Sequence, residues 1–388
     1  MPETTAHASP KVALVMTGGG ARAAYQVGVI RAVSELLPPR SPTPFQILCG
    51  TSAGAINVAT LAANATHFRN GVRELMTVWK NFHVHHVYRA DPLSLIGSGA
   101  HWLLALMLGG LGDRNPVSLL DNEPLAELLT SRLDLSKIQE GIDSGALHAL
   151  SVSVSSYSSG ESVCFFQGAS AIHPWKRARR LGVPATITID HLLASSAIPF
   201  IFPAVHIGRE YFGDGSMRQI APISPALHLG AERVLVIGGG SGIEYAAERA
   251  RPNAYPSLAQ VAGHALNGLF LDGIEVDLER LQRINRTLDH IPPHVLQSGA
   301  VPLRKVEVFQ ISPSEEIEKI AAQHVHHLPS TIRYLMRGVG VMRRSGSNLA
   351  SYLLFEKSFC RALIAMGYRD TMQRKHELLD FMGMAQAA

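Results

Sequence analysis

Cysteine and lysine are scarce in this chain of 388 residues, and each scarcity removes a class of protein. The three cysteines, Cys49, Cys164 and Cys360, are odd in number and far apart, which excludes a disulfide framework and a C-x-x-C site. A reducing, cytoplasmic setting is expected. Lysine supplies only 8 of the 35 basic residues, and the net charge is +4. So small and scattered an excess does not point to nucleic acid, although it would tolerate peripheral contact with an anionic membrane surface. The opening residues, MPETTAHASP, lack a basic stretch leading into an apolar one, so no secretory signal is expected. Charged residues make up 17% and hydrophobic residues 46%, which rules out wholesale disorder and predicts a well-buried sheet.

Long hydrophobic runs are also few. From Pro92 to Gly112 the chain carries no formal charge, and its length alone permits a membrane span. Five glycines, a histidine and two serines interrupt it, and its dense apolar part is only Trp102 to Leu108. The expected role is a buried or lid helix giving lipid access, not a transmembrane segment.

The remaining pattern is alternating. Lys11 to Met16 is a short apolar run followed by Thr17-Gly18-Gly19-Gly20 and a helical stretch from Ala21 to Leu37. Phe45 to Cys49 reads as a second strand, then Gly50-Thr51-Ser52-Ala53-Gly54 turns into a small-residue helix. Strand, glycine turn, helix, strand, tight turn and helix open an α/β fold with a mostly parallel central sheet. Residues 68–148 read as a mainly helical insertion or lid. Further strands are expected at Ala149 to Ser155, Ser162 to Phe166, Thr186 to Asp190 and Arg233 to Ile237, with a hairpin at 204–212. Lys176 to Arg180 reads as a solvated arginine-rich stretch. Residues 10–240 form the expected catalytic domain, and 253–388 a mainly helical C-terminal region packed on it. Long helices are expected at 258–285, 314–327, 330–337 and 349–366, interrupted by a strand at 305–311.

Gly50-x-Ser52-x-Gly54 stands between a strand and a helix, where a nucleophile elbow belongs. A serine there needs a strained turn, flanking glycines that remove Cβ clashes, and a helix N-terminus that favours negative charge. Only two strands precede it, and none of the 18 histidines sits in a compelling late turn, so an ordinary Ser-His-Asp hydrolase does not fit. The Gly18-Gly19-Gly20 turn, at the same sheet edge, can aim N–H donors at an oxyanion; losing one such donor costs roughly 2.7–4 kcal/mol of transition-state stabilisation. Asp214, in Gly213-Asp214-Gly215-Ser216, is a candidate base, because a partly desolvated carboxylate with a raised pKa can accept a serine proton directly. Taken as a dipeptide, Asp-Gly is equally an ordinary turn.

Together these motifs resemble the patatin-like phospholipase family, from Val12 to about Ile237. The match includes Ala194-Ser195-Ser196-Ala197-Ile198-Pro199 and Phe202-Pro203 ahead of Asp214-Gly215. The resemblance implies a three-layer α/β/α fold and a lipid acyl-ester hydrolase of phospholipase A or lysophospholipase type. It implies Ser52 as nucleophile and Asp214 as base, with Gly18, Gly19 and Gly20 as oxyanion loop and Arg22 at its basic position. No metal or organic cofactor is implied. Two positions depart from the family pattern: Ala23 stands where a glycine is usual, and Ser216 where glycine or alanine is.

Other readings compete. Gly18-x-Gly20-x-x-Ala23 also fits a dinucleotide fingerprint, but the second strand ends in Ile47-Leu48-Cys49-Gly50 without the acidic residue that would hold a ribose. Gly238 to Gly242 reads as a flexible loop. His83, His85 and His86, and His324, His326 and His327, lack metal-ligand spacing and are expected to be solvated or partly buried. Cys49 is expected inside the sheet. A catalytically silent lipid-binding protein on the same fold is the remaining alternative.

Overall fold

The computed structural model describes residues 10–89, 118–238, 257–297, 303–338 and 347–384. The expectations for residues 92–112 and for Gly239 to Gly242 fall outside them.

Ten strands form one sheet among the described residues: β1 (Val12–Met16), β2 (Ile47–Thr51), β3 (Ala149–Ser156), β4 (Ser162–Gly168), β5 (Trp175–Arg177), β6 (Arg180–Pro184), β7 (Val205–Ile207), β8 (Glu210–Asp214), β9 (Arg233–Ile237) and β10 (Glu307–Ile311). The order is β10-β9-β1-β2-β3-β4-β6-β5. From β10 to β3 every pairing is parallel, and β4 then runs antiparallel to β3. Strands buried on both faces read as continuous apolar runs, which is why β1 and β9 stand out in the sequence. Along β1, Leu14 and Met16 enter one apolar cluster while Ala13 and Val15 enter another. The sheet is therefore covered on both faces, as the expected three-layer α/β/α class requires.

The first face carries α1 (Ala24–Leu36), α2 (Ala53–Ala63) and α3 (Phe68–Lys80), with α4 (Glu123–Arg132), α5 (Lys137–Asp143) and α6 (Ile189–Ser195) beside them. The second carries α7 (Ser224–His228) and, from the C-terminal part, α9 (Gly273–Asp289), which follows α8 (Leu258–Asn267). The other C-terminal helices are α10 (Pro293–Gln297), α11 (Ile317–His324), α12 (Ser330–Gly338), α13 (Ser347–Leu353), α14 (Lys357–Gln373) and α15 (Lys375–Met382). β10 extends the sheet beside β9, and α14 packs along α1 so closely that a Cβ on Gly28 would lie 2.1 Å from the Ile364 carbonyl oxygen.

Several local expectations are corrected. Lys176 to Arg179 are exposed, as expected of a solvated stretch, but the segment also spans the unforeseen β5–β6 hairpin, whose turn residue Arg179 has φ 56°. Residues 186–188 form no strand, and Thr188 instead caps α6. The helix expected at 258–285 is two helices joined by a π turn at Gly268–Asp272. That expected at 349–366 breaks at Leu354-Phe355-Glu356, between α13 and α14. No helix among the described residues is long and apolar enough to cross a membrane.

Candidate active site

Ser52 follows β2 and caps α2 with φ 56° and ψ −132°, a left-handed conformation that costs a side-chain-bearing residue free energy. Contacts on both sides hold the turn. A Cβ at Gly54 would lie 2.4 Å from the Met16 carbonyl oxygen, and one at Gly50 would meet Ala55 Cα at 2.5 Å. The Ser52 amide donates to Ser195 Oγ at 2.9 Å, and that hydroxyl donates onward to the Ser153 carbonyl at 2.6 Å. Thr51 Oγ1 donates to Gln219 Oε1 at 2.6 Å, and Gln219 Nε2 donates to Ser153 Oγ at 2.9 Å.

Strand registry explains how Asp214 reaches this turn. β2 pairs with β3 as far as Thr51 opposite Ser153; β8 takes over antiparallel, with Asp214 opposite Val154. Two strands thus occupy one flank of β3 end to end, and Ser52 and Asp214 fall at the junction. The Asp214 amide donates to the Ala197 carbonyl at 2.9 Å, and Ser155 Oγ donates to the Gly215 carbonyl at 3.2 Å. A Cβ on Gly215 would lie 2.2 Å from the Ser153 carbonyl oxygen, so Gly215 lets the turn close onto β3.

Asp214 is buried, and loss of hydration pushes its carboxyl up to about 6. Hydrogen bonding from Ser52 and Ser216 opposes that rise without cancelling it. Oδ1 accepts from the Ser216 amide at 2.9 Å, while Oδ2 has no well-formed hydrogen bond with any described residue. A loose acceptor beside a serine is a common resting arrangement of acid–base pairs.

The glycine turn lies alongside. Gly20 has φ 54°, and a Cβ there would lie 2.3 Å from the Tyr352 carbonyl oxygen; one at Gly18 would meet the Phe270 ring and Ser216 Oγ at 2.7 Å. Arg22 donates its amide to the Gly19 carbonyl at 3.1 Å, and the Gly18 and Gly19 amides have no partner among the described residues. The expectation grouped Arg22 with the oxyanion loop, but its guanidinium turns into the C-terminal helices. Nε donates to Ser351 Oγ at 2.7 Å, Nη2 donates to Asn348 Oδ1 at 2.6 Å and pairs with Glu318 at 2.9 Å, and the group lies 4.0 Å over the Tyr352 ring. Arg22 therefore ties the loop to the C-terminal region.

Beside Ser52 an apolar pocket is lined by Ile56 of α2, Leu75, Val78 and Trp79 of α3, Leu125 and Leu129 of α4, and Ile198, Phe202 and Phe355. Exposed Glu74 and Arg132 mark its rim. Sequence reasoning missed this wall, because its residues come from five separated segments. It missed Ser195 as well, although that residue lies in the quoted Ala194–Pro199 stretch. Phe355 belongs to the break between α13 and α14, and the neighbouring Glu356 carboxylate meets His83 Nδ1 at 3.0 Å. The His83 and His85 rings stack with His86 tilted against both, and His324 stacks with His327, which His326 meets at a tilt. Among the described residues, no group of three or more His, Cys, Asp or Glu side chains is placed to hold a metal. Cys49 is buried in β2.

The Patatin-like phospholipase family model matches residues 14–227, more than half of the chain. The chain belongs to this family. A cGAMP-activated phospholipase of Pseudomonas aeruginosa (strain BWHPSA011 / Pa011) is 28% identical over 219 residues, which cover 55% of this chain and 55% of that protein. The chain thus spans about half the length of this curated relative. Among solved structures, human GIVD cytosolic phospholipase A2 aligns over 97% of this chain and 59% of its own, at 13% identity and TM-score 0.42. VipD from Legionella pneumophila aligns over 98% and 75%, at 13% identity and TM-score 0.34. Likenesses this distant carry no argument about chemistry.

Two predictions follow from the geometry. The folded-state value of about 6 for Asp214 exceeds the ordinary carboxyl value near 4, so the native state binds more protons between those limits. Stability is therefore lost as pH rises through that window, by about 3 kcal/mol when complete. Asp214→Asn is expected to raise the calorimetric midpoint by a few degrees at pH 8 and to give almost no gain at pH 4. Arg22→Ala, which strands Glu318, is expected to lose about 3 kcal/mol in denaturant unfolding, and Arg22→Lys to recover only part of it.

Proposed function

We propose that this patatin-family chain is a serine acyl-ester hydrolase acting on lipids, with Ser52 as nucleophile and Asp214 as general base. The observation that carries the reading is the end-to-end meeting of β2 and β8, which brings a strained serine and a buried carboxylate to one edge of the sheet, with Ser52 on the wall of an apolar pocket. Asp214 Oδ2 takes the Ser52 proton as the hydroxyl oxygen attacks the ester carbonyl. The tetrahedral oxyanion is held by main-chain amides of the Gly18–Gly20 turn, with the α2 N-terminus adding favourable potential. Asp214 returns the proton to the leaving alcohol and leaves an acyl-Ser52 ester. Water, deprotonated by Asp214, then releases the fatty acid. The apolar lining of the pocket beside Ser52 suits an acyl chain, which supports a phospholipid or other lipid ester as the substrate class.

The dinucleotide reading fits poorly. β2, Ile47–Thr51, carries no carboxylate to hold a ribose hydroxyl. A silent lipid-binding protein differs from the proposed enzyme in one observable, turnover. Mass-spectrometric analysis of a membrane-lipid extract is expected to show free fatty acid released by the wild type and none above background with Ser52→Ala, a loss of at least about 10³-fold. Equal release by both chains, or release by neither, contradicts the proposal.

A further inference from the structure

The loops around the site expose aromatic side chains and arginines that form no ion pair with a described residue. Phe200 lies between Ile198 and Phe202, two residues of the pocket wall. It is 74% exposed and held at φ 64°, a conformation unfavourable for an aromatic residue, and the described chain recovers no burial from it. Exposed Leu119 donates its amide to the Phe200 carbonyl at 2.8 Å, so the two form one apolar ridge. Across Asp214, Tyr157 and Tyr211 are exposed too, joined by a bond from the Tyr157 amide to the Tyr211 carbonyl at 2.9 Å.

Three arginines share this edge. Arg209 tips the β7–β8 hairpin, which projects past the end of β3 because Phe212 already pairs with Ser156. Arg179 turns the β5–β6 hairpin; Ser162 pairs with both Ser155 and Arg180, which puts that turn at the same edge as the end of β3. Arg218 follows the Asp214 turn. All three are exposed, and none forms an ion pair with a described residue. Against these three cations the same loops carry two carboxylates, Glu161 and Glu210, the latter accepting a hydrogen bond from the Ser156 hydroxyl, so the edge keeps a positive excess.

We propose that this edge is the face by which the protein docks on an anionic lipid surface. Phe200 and Leu119 enter the interfacial region, while Arg179, Arg209 and Arg218 meet headgroup phosphates. The inference rests on the esterase reading, which requires the pocket to face a lipid reservoir. It adds the face and the charge of the lipid.

The test uses the Ser52→Ala chain, which leaves vesicles intact, and sedimentation with phosphatidylcholine vesicles that contain or lack phosphatidylglycerol. Binding is expected only with phosphatidylglycerol present and is expected to weaken with salt. Arg209→Glu with Arg218→Glu should weaken it at least about 25-fold. Phe200→Asn, which tolerates the left-handed backbone, should weaken it about tenfold. In the active background these variants should hydrolyse a short soluble ester at the wild-type kcat/KM. Undiminished binding by the variants, equal binding to both vesicles, or no binding overturns the proposal, as does a dimer in lipid-free solution that Phe200→Asn dissociates. If the wild type fails to hydrolyse the soluble ester while anionic-vesicle binding persists, the esterase reading falls and the docking face stands.

Discussion

β3 pairs along one flank with β2 as far as Ser153 and with β8 from Val154 onward, and everything at the site depends on that handover. Had β2 run two residues further, Ser52 would be strand, and β8 would have no flank to occupy. Because β2 ends in a left-handed serine and β8 arrives from the opposite direction, two residues 162 positions apart meet without a histidine between them. The meeting is costly, since it strains one backbone and dehydrates one carboxylate. The strained turn sets Ser52 on the wall of the apolar pocket, and the dehydration raises the Asp214 carboxyl towards neutral pH.

The C-terminal region shapes the site from outside the family match. Tyr352 closes on Gly20, Phe270 on Gly18, and Phe355 completes the pocket wall. The Arg22 guanidinium binds Glu318, Asn348 and Ser351, linking the glycine turn to α11 and α13. A loop whose Gly18 and Gly19 amides have no partner among the described residues has little of its own to fix it, so rigidity is imported through a buried, multiply bonded arginine. The π turn at Gly268–Asp272 and the break at Leu354–Glu356 lie at these contacts, which ties the irregularities of the helices to the site they support.

How much of this was legible follows from where each signal resides. β9 reads off as Arg233–Ile237 because a strand buried on both faces is a continuous apolar run. The Ser52 elbow is legible because its glycines, strand and helix are neighbours in sequence. The hairpin at Trp175–Pro184 is not, since five of its residues between 176 and 180 include four cations and mask a strand pair that only β4 stabilises. Asp214 carries a weak local signal, an Asp-Gly dipeptide, and its place against Thr51 is a property of non-local registry. Ser195 was visible as part of a motif, but its hydrogen bond to the Ser52 amide exists only once α6 rests on β3. The pocket is the extreme case, with walls assembled from segments far apart in the chain.

The central claim is that Ser52 is activated by Asp214 through direct proton transfer. Its most direct measure is the rate at which a fluorophosphonate modifies Ser52 as pH is varied, in the wild type and in Asp214→Asn. Direct transfer gives a wild-type rate that rises through about pH 6 and then levels, following the carboxyl, and a slow rate without that inflection in the variant. Equal rates with the same pH dependence in both chains would contradict it.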